Sequence, residues 1–235
     1  MAKRALDFAG SIIGLVLFSP LILIALLLVW WQDGKNPVYT SKRVGKGGQL
    51  FPFYKVRTMV VGADKTGRHT VGSDDPNVTR LGRLLRNSKG DELLQFISVL
   101  RGDMSLVGPR PNIPAASTEV FTAREMEMFA VKPGITDFAS IVFSDLDKIM
   151  IGASDVNVAY TRQIRPWKSR LCLFYAQHRT MAMDIQLIWL TALNFVARAP
   201  ALEKTAALLR RYGAEPDLVE VARRTSPPPE ADPPH

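Results

Sequence analysis

The sequence is poor in the residues that build disulfide scaffolds and zinc sites: one cysteine and three histidines in 235 residues. A lone thiol, Cys172, excludes an internal disulfide framework and fits a reducing compartment; its simplest role is that of a small buried hydrophobe. His69, His178 and His235 are scattered without ligand spacing, which argues against zinc. A nucleotide-binding phosphate loop is also missing. Gly45-Lys46-Gly47-Gly48 is rich in glycine but has neither the GxxxxGK[ST] spacing nor a strand-to-helix setting. No internal repeat is evident. Acid is in deficit, with 22 Asp and Glu against 30 Lys and Arg, a formal charge of +8 and a pI near 9.8. Such a balance implies an anionic partner: nucleic acid, an acidic membrane surface or a phosphorylated substrate.

What the chain does have is a long uncharged run at its start, which favours the membrane and the phosphorylated substrate over nucleic acid. From Phe8 to Trp31 there is no charged side chain, enough for a spanning helix, which needs about 20 residues. Ser19-Pro20 falls in its middle, where proline removes a backbone hydrogen bond, at a cost of roughly 3 kcal/mol in a helix interior. A break there leaves two halves of about 11 residues, each roughly 16 Å long and able to cross about half of a ~30 Å hydrocarbon core. Lys3 and Arg4 precede the run and Lys35, Lys42, Arg43 and Lys46 follow it. Basic flanks at both ends favour the cytoplasm for both, so a re-entrant helix fits, with Trp30 and Trp31 at the interface. A kinked spanning helix is the competitor. A cleaved signal peptide fits poorly, because the run is too long and no small-residue cleavage site follows.

The expected class is α+β: mostly helical, with a small β-hairpin, the membrane helix and interfacial amphipathic helices. The size allows one substantial core. The expected boundaries are 1–35 for the re-entrant helix, 36–199 for the catalytic domain, 200–224 for a helical extension and 225–235 for a disordered tail rich in proline and acid. Pro37 to Val44 and Leu50 to Met59 read as hairpin strands around the glycine turn, with Lys55 and Arg57 two apart and so on one face. Residues 62–77 read as a loop, with Asp74 and Asp75 in turns. Thr79 to Asn87 reads as a short helix carrying Arg80, Arg83 and Arg86 at i, i+3 and i+6; like charges so placed repel one another unless an anion lies between them. Further helices are expected over Pro114 to Ala130, Tyr160 to Arg179 and Met181 to Arg198, then Leu202 to Tyr212 and Pro216 to Arg224. The apolar Met181 to Arg198 helix suits core packing or interfacial burial beside the membrane segment.

The stretch from Ser88 to Pro111 organises the rest. Asp91 and Glu92 are adjacent acids at what reads as a helix start, followed by Leu93, Leu94, Ile97 and Leu100 at helical spacing. The plain structural role for these acids is a variant capping box and a dipole-complementing surface charge. Further on, Arg110 stands between Pro109 and Pro111 after a glycine, a fixed-φ turn that aims one permanent charge in one direction. Such a fork suits phosphate.

The whole string Asp91-Glu92-Leu93-Leu94-Gln95, then Arg101-Gly102-Asp103-Met104-Ser105-Leu106-Val107-Gly108-Pro109-Arg110-Pro111, closely resembles the core motif of the bacterial sugar transferases, the monotopic polyprenyl-phosphate phosphoglycosyl transferases. The likeness takes in Lys3-Arg4, Lys55-Val56-Arg57-Thr58-Met59 and Lys132-Pro133-Gly134-Ile135-Thr136, and runs loosely to Arg198. It departs at residues 137–145, where many members carry Gly-Leu-x-Gln-Val-x-Gly-Arg and this chain reads Asp137-Phe138-Ala139-Ser140-Ile141-Val142-Phe143-Ser144-Asp145. The usual arginine has no clear counterpart there.

The resemblance implies transfer of a phosphosugar from a UDP-sugar to a polyprenyl phosphate such as undecaprenyl phosphate, with UMP released, at the cytoplasmic face of the bacterial inner membrane. It further implies Asp91 as the nucleophile and Glu92 as its partner, in metal binding or in deprotonating the acceptor. Lys55, Arg57, Arg110 and, with them, Arg83 and Arg86 would hold phosphates. A carboxylate attacking a diphosphate needs cations to neutralise developing charge, and Mg²⁺ on Asp91 and Glu92 is the expected ion. Two other readings stay open: a membrane-anchored protein that binds anions without catalysis, and a glycosyltransferase that moves the sugar alone and releases UDP. The oligomeric state, a homodimer included, is not fixed by the sequence.

Overall fold

The computed structural model describes residues 2–63, 75–114, 121–146 and 156–234. Its uncharged N-terminal run forms one helix, α1 (Ala2–Asp33), whose helical backbone continues through Pro20. The break expected at Ser19-Pro20 is therefore absent from the backbone, for a local reason. Proline at 20 leaves the Val16 carbonyl without its usual donor, and the Ser19 hydroxyl donates to that carbonyl at 2.8 Å. With the carbonyl satisfied, the helix need not end there, although the missing backbone bond still makes it an easy place to bend.

One stripe of α1 faces the rest of the protein: Asp7, Ser11 and Gly14, then Ile22, Ala25 and Val29 are buried. Between them Phe18 stacks on Phe96. The two halves of the stripe differ in chemistry. Near the N-terminus it is polar: Asp7 accepts from Ser105 Oγ at 2.8 Å and from Leu106 N at 2.9 Å, and Arg4 donates to the carbonyls of Val99 and Leu100. Nearer the C-terminus, Ile22, Ala25 and Val29 form a small core with Val56, Leu85 and Leu94. The opposite face is apolar and exposed, from Phe8 through Val16, Leu17 and Ile24 to Trp31.

Strands β1 (Val38–Val44) and β2 (Leu50–Val56) pair antiparallel, Tyr39 opposite Lys55 and Arg43 opposite Phe51. The turn between them uses Gly47 and Gly48 at positive φ, a conformation that glycine adopts without steric cost. Helix α2 (Arg80–Asn87) starts at Thr79, whose side chain accepts from Gly82 N. A 3₁₀ turn (Gly90–Glu92) and α3 (Gln95–Arg101) follow. Strands β3 (Ser105–Val107) and β4 (Gly134–Thr136) pair in parallel. Gly108 and Gly134 let these two segments touch: a Cβ at Gly108 would lie 2.3 Å from the Lys132 carbonyl oxygen. The Lys132 to Thr136 turn thus clasps the strand that leads to Arg110.

Helix α4 (Phe138–Val142) is capped by Asp137. A helical turn α5 (Val156–Ala159) and a π-helical segment (Tyr160–Ile164) lead into α6 (Arg165–His178), then α7 (Met181–Val196), α8 (Arg198–Arg211) and α9 (Pro216–Arg223). The expected α+β class, mostly helical with one small hairpin, is what the chain adopts. Leu202, Leu209, Leu218 and Val219 join Phe138, Leu171 and Tyr175 in the main core, so residues 200–224 pack as part of the domain.

Two local expectations change, and a third is met where it falls within the described residues. The helix expected over 114–130 is, where described, a 3₁₀ segment (Glu125–Ala130), with residues 115–120 outside the described residues. Asp75 holds a turn by accepting from Asn77 N, while Asp74 lies outside the described residues. The tail expected to be disordered has no regular structure but has partners: Trp167 Nε1 donates to the Pro229 carbonyl at 2.8 Å, and Ala231 N to that of Arg162 at 3.1 Å. Its prolines block helix and sheet yet leave their carbonyls free to accept such bonds.

Candidate active site

The two acids do not open an α-helix, as the sequence pattern suggested. Lys89 takes a left-handed conformation (φ 57°), which turns the chain so that Asp91 and Glu92 lie in the 3₁₀ turn ahead of α3. A non-glycine residue held so costs of order 1–3 kcal/mol, which the surrounding packing must supply. The helix that follows buries Gln95, Ser98 and Val99, with Leu94 just ahead of it. Ile97, expected on the buried face, is exposed. Side-chain partners, and no helix dipole, therefore set the state of the dyad.

Those partners divide the dyad sharply. Glu92 Oε1 accepts from Lys55 Nζ at 2.7 Å and Oε2 from Arg110 Nη1 at 3.0 Å; Arg110 Nη2 also donates to Oε1. Burial opposes ionisation of Glu92, but Arg110 and then Lys55 outweigh it and hold the carboxyl well below the usual range. Asp91 is 4% exposed and makes no hydrogen bond among the described residues; its nearest cation is Lys55, whose Nζ is 3.7 Å from Oδ2. Burial raises the pKa of Asp91, with Lys55 opposing and Glu92 adding to the rise. One acid is saturated by cations and the other is left with uncommitted oxygens.

Each cation arrives by a different route. Lys55 comes from β2, and Arg110 from the turn after β3, held by Gly134 N donating to the Pro109 carbonyl at 2.9 Å. Arg86, on α2, donates from Nε to Thr58 Oγ1 at 3.0 Å and lies near enough to act on Asp91. Arg83 is half-buried on the same helix, and its guanidinium makes no hydrogen bond or ion pair among the described residues. Arg57 differs from expectation. It follows the end of β2, and its guanidinium grips Asp33 through both Nη atoms at 2.6 Å while Nε donates to the Asn36 carbonyl. That grip, then Lys35, pulls the Asp33 carboxyl down to about 2. Arg57 thereby ties the C-terminal end of α1 to the strand that carries Lys55.

Lys3 makes the matching tie at the other end of α1. Its Nζ bonds Asp184 Oδ2 at 2.7 Å and the Val107 carbonyl at 3.1 Å, three residues before Arg110. Tyr175 completes the cluster: its hydroxyl lies 2.7 Å from Asp184 Oδ1 and 2.9 Å from the Val107 carbonyl, its one proton serving either. Sequence reasoning missed one cation, Arg43 on β1. Hairpin register puts it on the face of Lys55, and that parity was the signal available. The departing segment 137–145 becomes a core helix: Asp137 caps α4 at Ser140 N and accepts from Cys172 Sγ at 3.2 Å. Arg198 holds its end through Asp145 at 2.6 Å and Ser144 Oγ.

Among the described residues, no three or more acid, histidine or cysteine side chains are grouped so as to hold a metal ion by themselves. The donor set still suits a hard cation that takes one or two carboxylates and completes its shell with substrate phosphate and water. Asp91 can be such a donor, whereas Glu92, expected as a second ligand, has both oxygens engaged by Lys55 and Arg110.

A family described as bacterial sugar transferase matches residues 1–198. A Bacillus subtilis protein, provisionally named an undecaprenyl-phosphate N-acetylgalactosaminyl 1-phosphate transferase, is 42% identical over 112 residues, or 48% of this chain and 63% of its own. The UDP-glucose:undecaprenyl-phosphate glucose-1-phosphate transferase of Caulobacter vibrioides is 38% identical over 144 residues, 60% and 54% of the two chains. The undecaprenyl-phosphate galactose phosphotransferase of Salmonella typhimurium is 31% identical over 208 residues, 81% and 39%. In each case the match spans less than two thirds of the relative's length. With its membrane-type helix, its acidic pair among cations and a match over most of its length, the chain belongs to the bacterial sugar transferase family.

Proposed function

We propose that the chain transfers a phosphosugar from a UDP-sugar to a polyprenyl phosphate such as undecaprenyl phosphate, giving a polyprenyl diphosphate sugar and UMP. The observation that carries this reading is the division of the dyad: Asp91 has uncommitted carboxylate oxygens beside Lys55, while Glu92 is saturated. In the first step an Asp91 oxygen attacks the sugar-bearing phosphorus; the bond from that phosphorus to the bridging oxygen breaks, and its electron pair leaves with UMP. In the second, a polyprenyl phosphate oxygen attacks the same phosphorus and the Asp91 carboxylate departs. Lys55, Arg110 and Arg86 neutralise charge on the phosphate oxygens. Glu92 keeps Lys55 and Arg110 in place between turnovers. Asp91 would hold Mg²⁺, which when bound would supply further charge neutralisation on the diphosphate.

The polyprenyl tail requires this chemistry at a bilayer surface. Both ends of α1 are tied to the domain, by Lys3 and by Asp33, and its outer face is apolar. A straight spanning helix would separate those ends by a hydrocarbon core of about 30 Å. We read α1 as bending at Pro20 in the bilayer so that it enters one leaflet and returns, with the exposed Ile185, Trp189 and Phe195 of α7 at the lipid interface. The catalytic face is then cytoplasmic, on the bacterial inner membrane. The test is a panel of UDP-glucose, UDP-galactose and UDP-N-acetylgalactosamine with undecaprenyl phosphate and Mg²⁺. UMP from one donor is the expected result; UDP in its place, or no nucleotide from any, would overturn the reading.

A further inference from the structure

Among the described residues, the Arg43 guanidinium has no hydrogen-bonding partner. Its Cζ lies 5.3 Å from the centre of the Phe53 ring, and Lys55 Nζ lies 5.7 Å from the same centre, so one aromatic ring contacts two cations. The end of β1 is pinned to the Arg110 turn by Val44 N donating to the Asn112 carbonyl at 3.0 Å. That pin brings Arg43 within electrostatic reach of both Arg110 and Glu92. Its Nε is buried and makes no hydrogen bond among the described residues. Burial and then the Arg110 charge both lower its pKa, the mark of a cation short of negative charge.

We propose that Arg43 is a substrate-binding residue, donating from its guanidinium to a phosphate oxygen bound beside Asp91; this rests on the phosphosugar-transfer reading. Among the neighbouring cations, Lys55 and Arg110 already bond Glu92, and Arg86 bonds Thr58. For these three, binding a phosphate means sharing or surrendering a bond. Arg43 surrenders none, and an anion lodged between it and Arg110 relieves the repulsion between their like charges. Its planar fork matches phosphate in a way that a lysine does not. The bound group is a phosphate oxyanion, from the nucleotide diphosphate or from the polyprenyl phosphate.

Titration of the full chain in lipid nanodiscs, with UDP in one arm and a short-chain polyprenyl phosphate in the other, separates those sources. Arg43→Gln should weaken binding in at least one arm by about tenfold or more, as expected for a lost charged hydrogen bond, and Arg43→Lys should restore part of it. Lys42→Gln, on the opposite face of β1, should leave both arms unchanged. If Arg43→Gln does not fold, Arg43→Met keeps the stem over Phe53 and gives the same readout. Affinity within about twofold of wild type in both arms would overturn the proposal. Failure of the transfer reading is separate: no donor yields UMP, while UDP still binds in an Arg43-dependent way.

Discussion

Glu92→Gln keeps the shape of the side chain and removes one charge, which makes it a sharp probe of how the two acids share their cations. In the wild type Glu92 takes Lys55 at 2.7 Å and both Nη atoms of Arg110. A charged hydrogen bond contributes roughly 1.5–3 kcal/mol, and breaking a buried ion pair costs about 3–5 kcal/mol. The Arg110 side chain is 40% exposed and regains hydration, which discounts its part towards the small values of surface pairs. A net loss of about 2–3 kcal/mol follows, or roughly 4–12 °C in Tm for a chain of this size. The released Lys55 should also move towards Asp91 Oδ2, now 3.7 Å away. Glu92 raises the Asp91 pKa in the wild type, so its neutralisation should shift the acid limb of UMP release to lower pH and, by making Asp91 less basic, reduce kcat. The assay is a pH–rate profile alongside thermal denaturation. A wild-type Tm together with an unmoved acid limb would refute the reasoning.

Other substitutions test separate parts of the account. Lys55→Gln removes the cation that holds Asp91 down, so the acid limb should move to higher pH, opposite to Glu92→Gln; a shift in the same direction would contradict the assigned charges. Glu92 has a depressed pKa, so its stabilising effect is present above the ordinary carboxylate value and is lost as pH falls through its own lower one. Glu92→Gln should therefore flatten the acid side of the stability–pH curve measured by chemical denaturation. Gly108→Ala would set a Cβ 2.3 Å from the Lys132 carbonyl and should destabilise by about 1–3 kcal/mol or more, because backbone must move; a neutral result would show that the β3–β4 clasp is looser than described. Single cysteines placed at Ala2 and at Lys35, with buried Cys172 silent, should both label from the cytoplasmic side. Labelling of either from the other side would exclude a helix that enters and returns.

Much of the site is local and was legible in the sequence. The Asp91-Glu92 pair, the Pro-Arg-Pro turn, the glycine hairpin and the short helix after Thr79 each follow from neighbours within a few residues. What was not legible depends on distant partners. Arg57 reads like Lys55 until Asp33, 24 residues earlier, takes its guanidinium. Arg43 reads as part of a basic flank until register places it beside Lys55 and the Val44–Asn112 bond brings it to Arg110. At Pro20 the propensity argument was sound, but a single serine hydroxyl offset it. The tail misled in the same way, since composition cannot show that the Trp167 indole is waiting for a carbonyl.

Nucleophilic attack by Asp91 is tested most directly without an acceptor. The full chain in lipid nanodiscs, given its UDP-sugar and Mg²⁺ but no polyprenyl phosphate, should release at most one UMP per chain. The peptide containing Asp91 should gain the mass of a sugar phosphate, and Asp91→Asn, folded and membrane-bound, should do neither. An unmodified Asp91 peptide, or an Asp91→Asn variant that turns over near the wild-type rate once acceptor is added, would contradict the account.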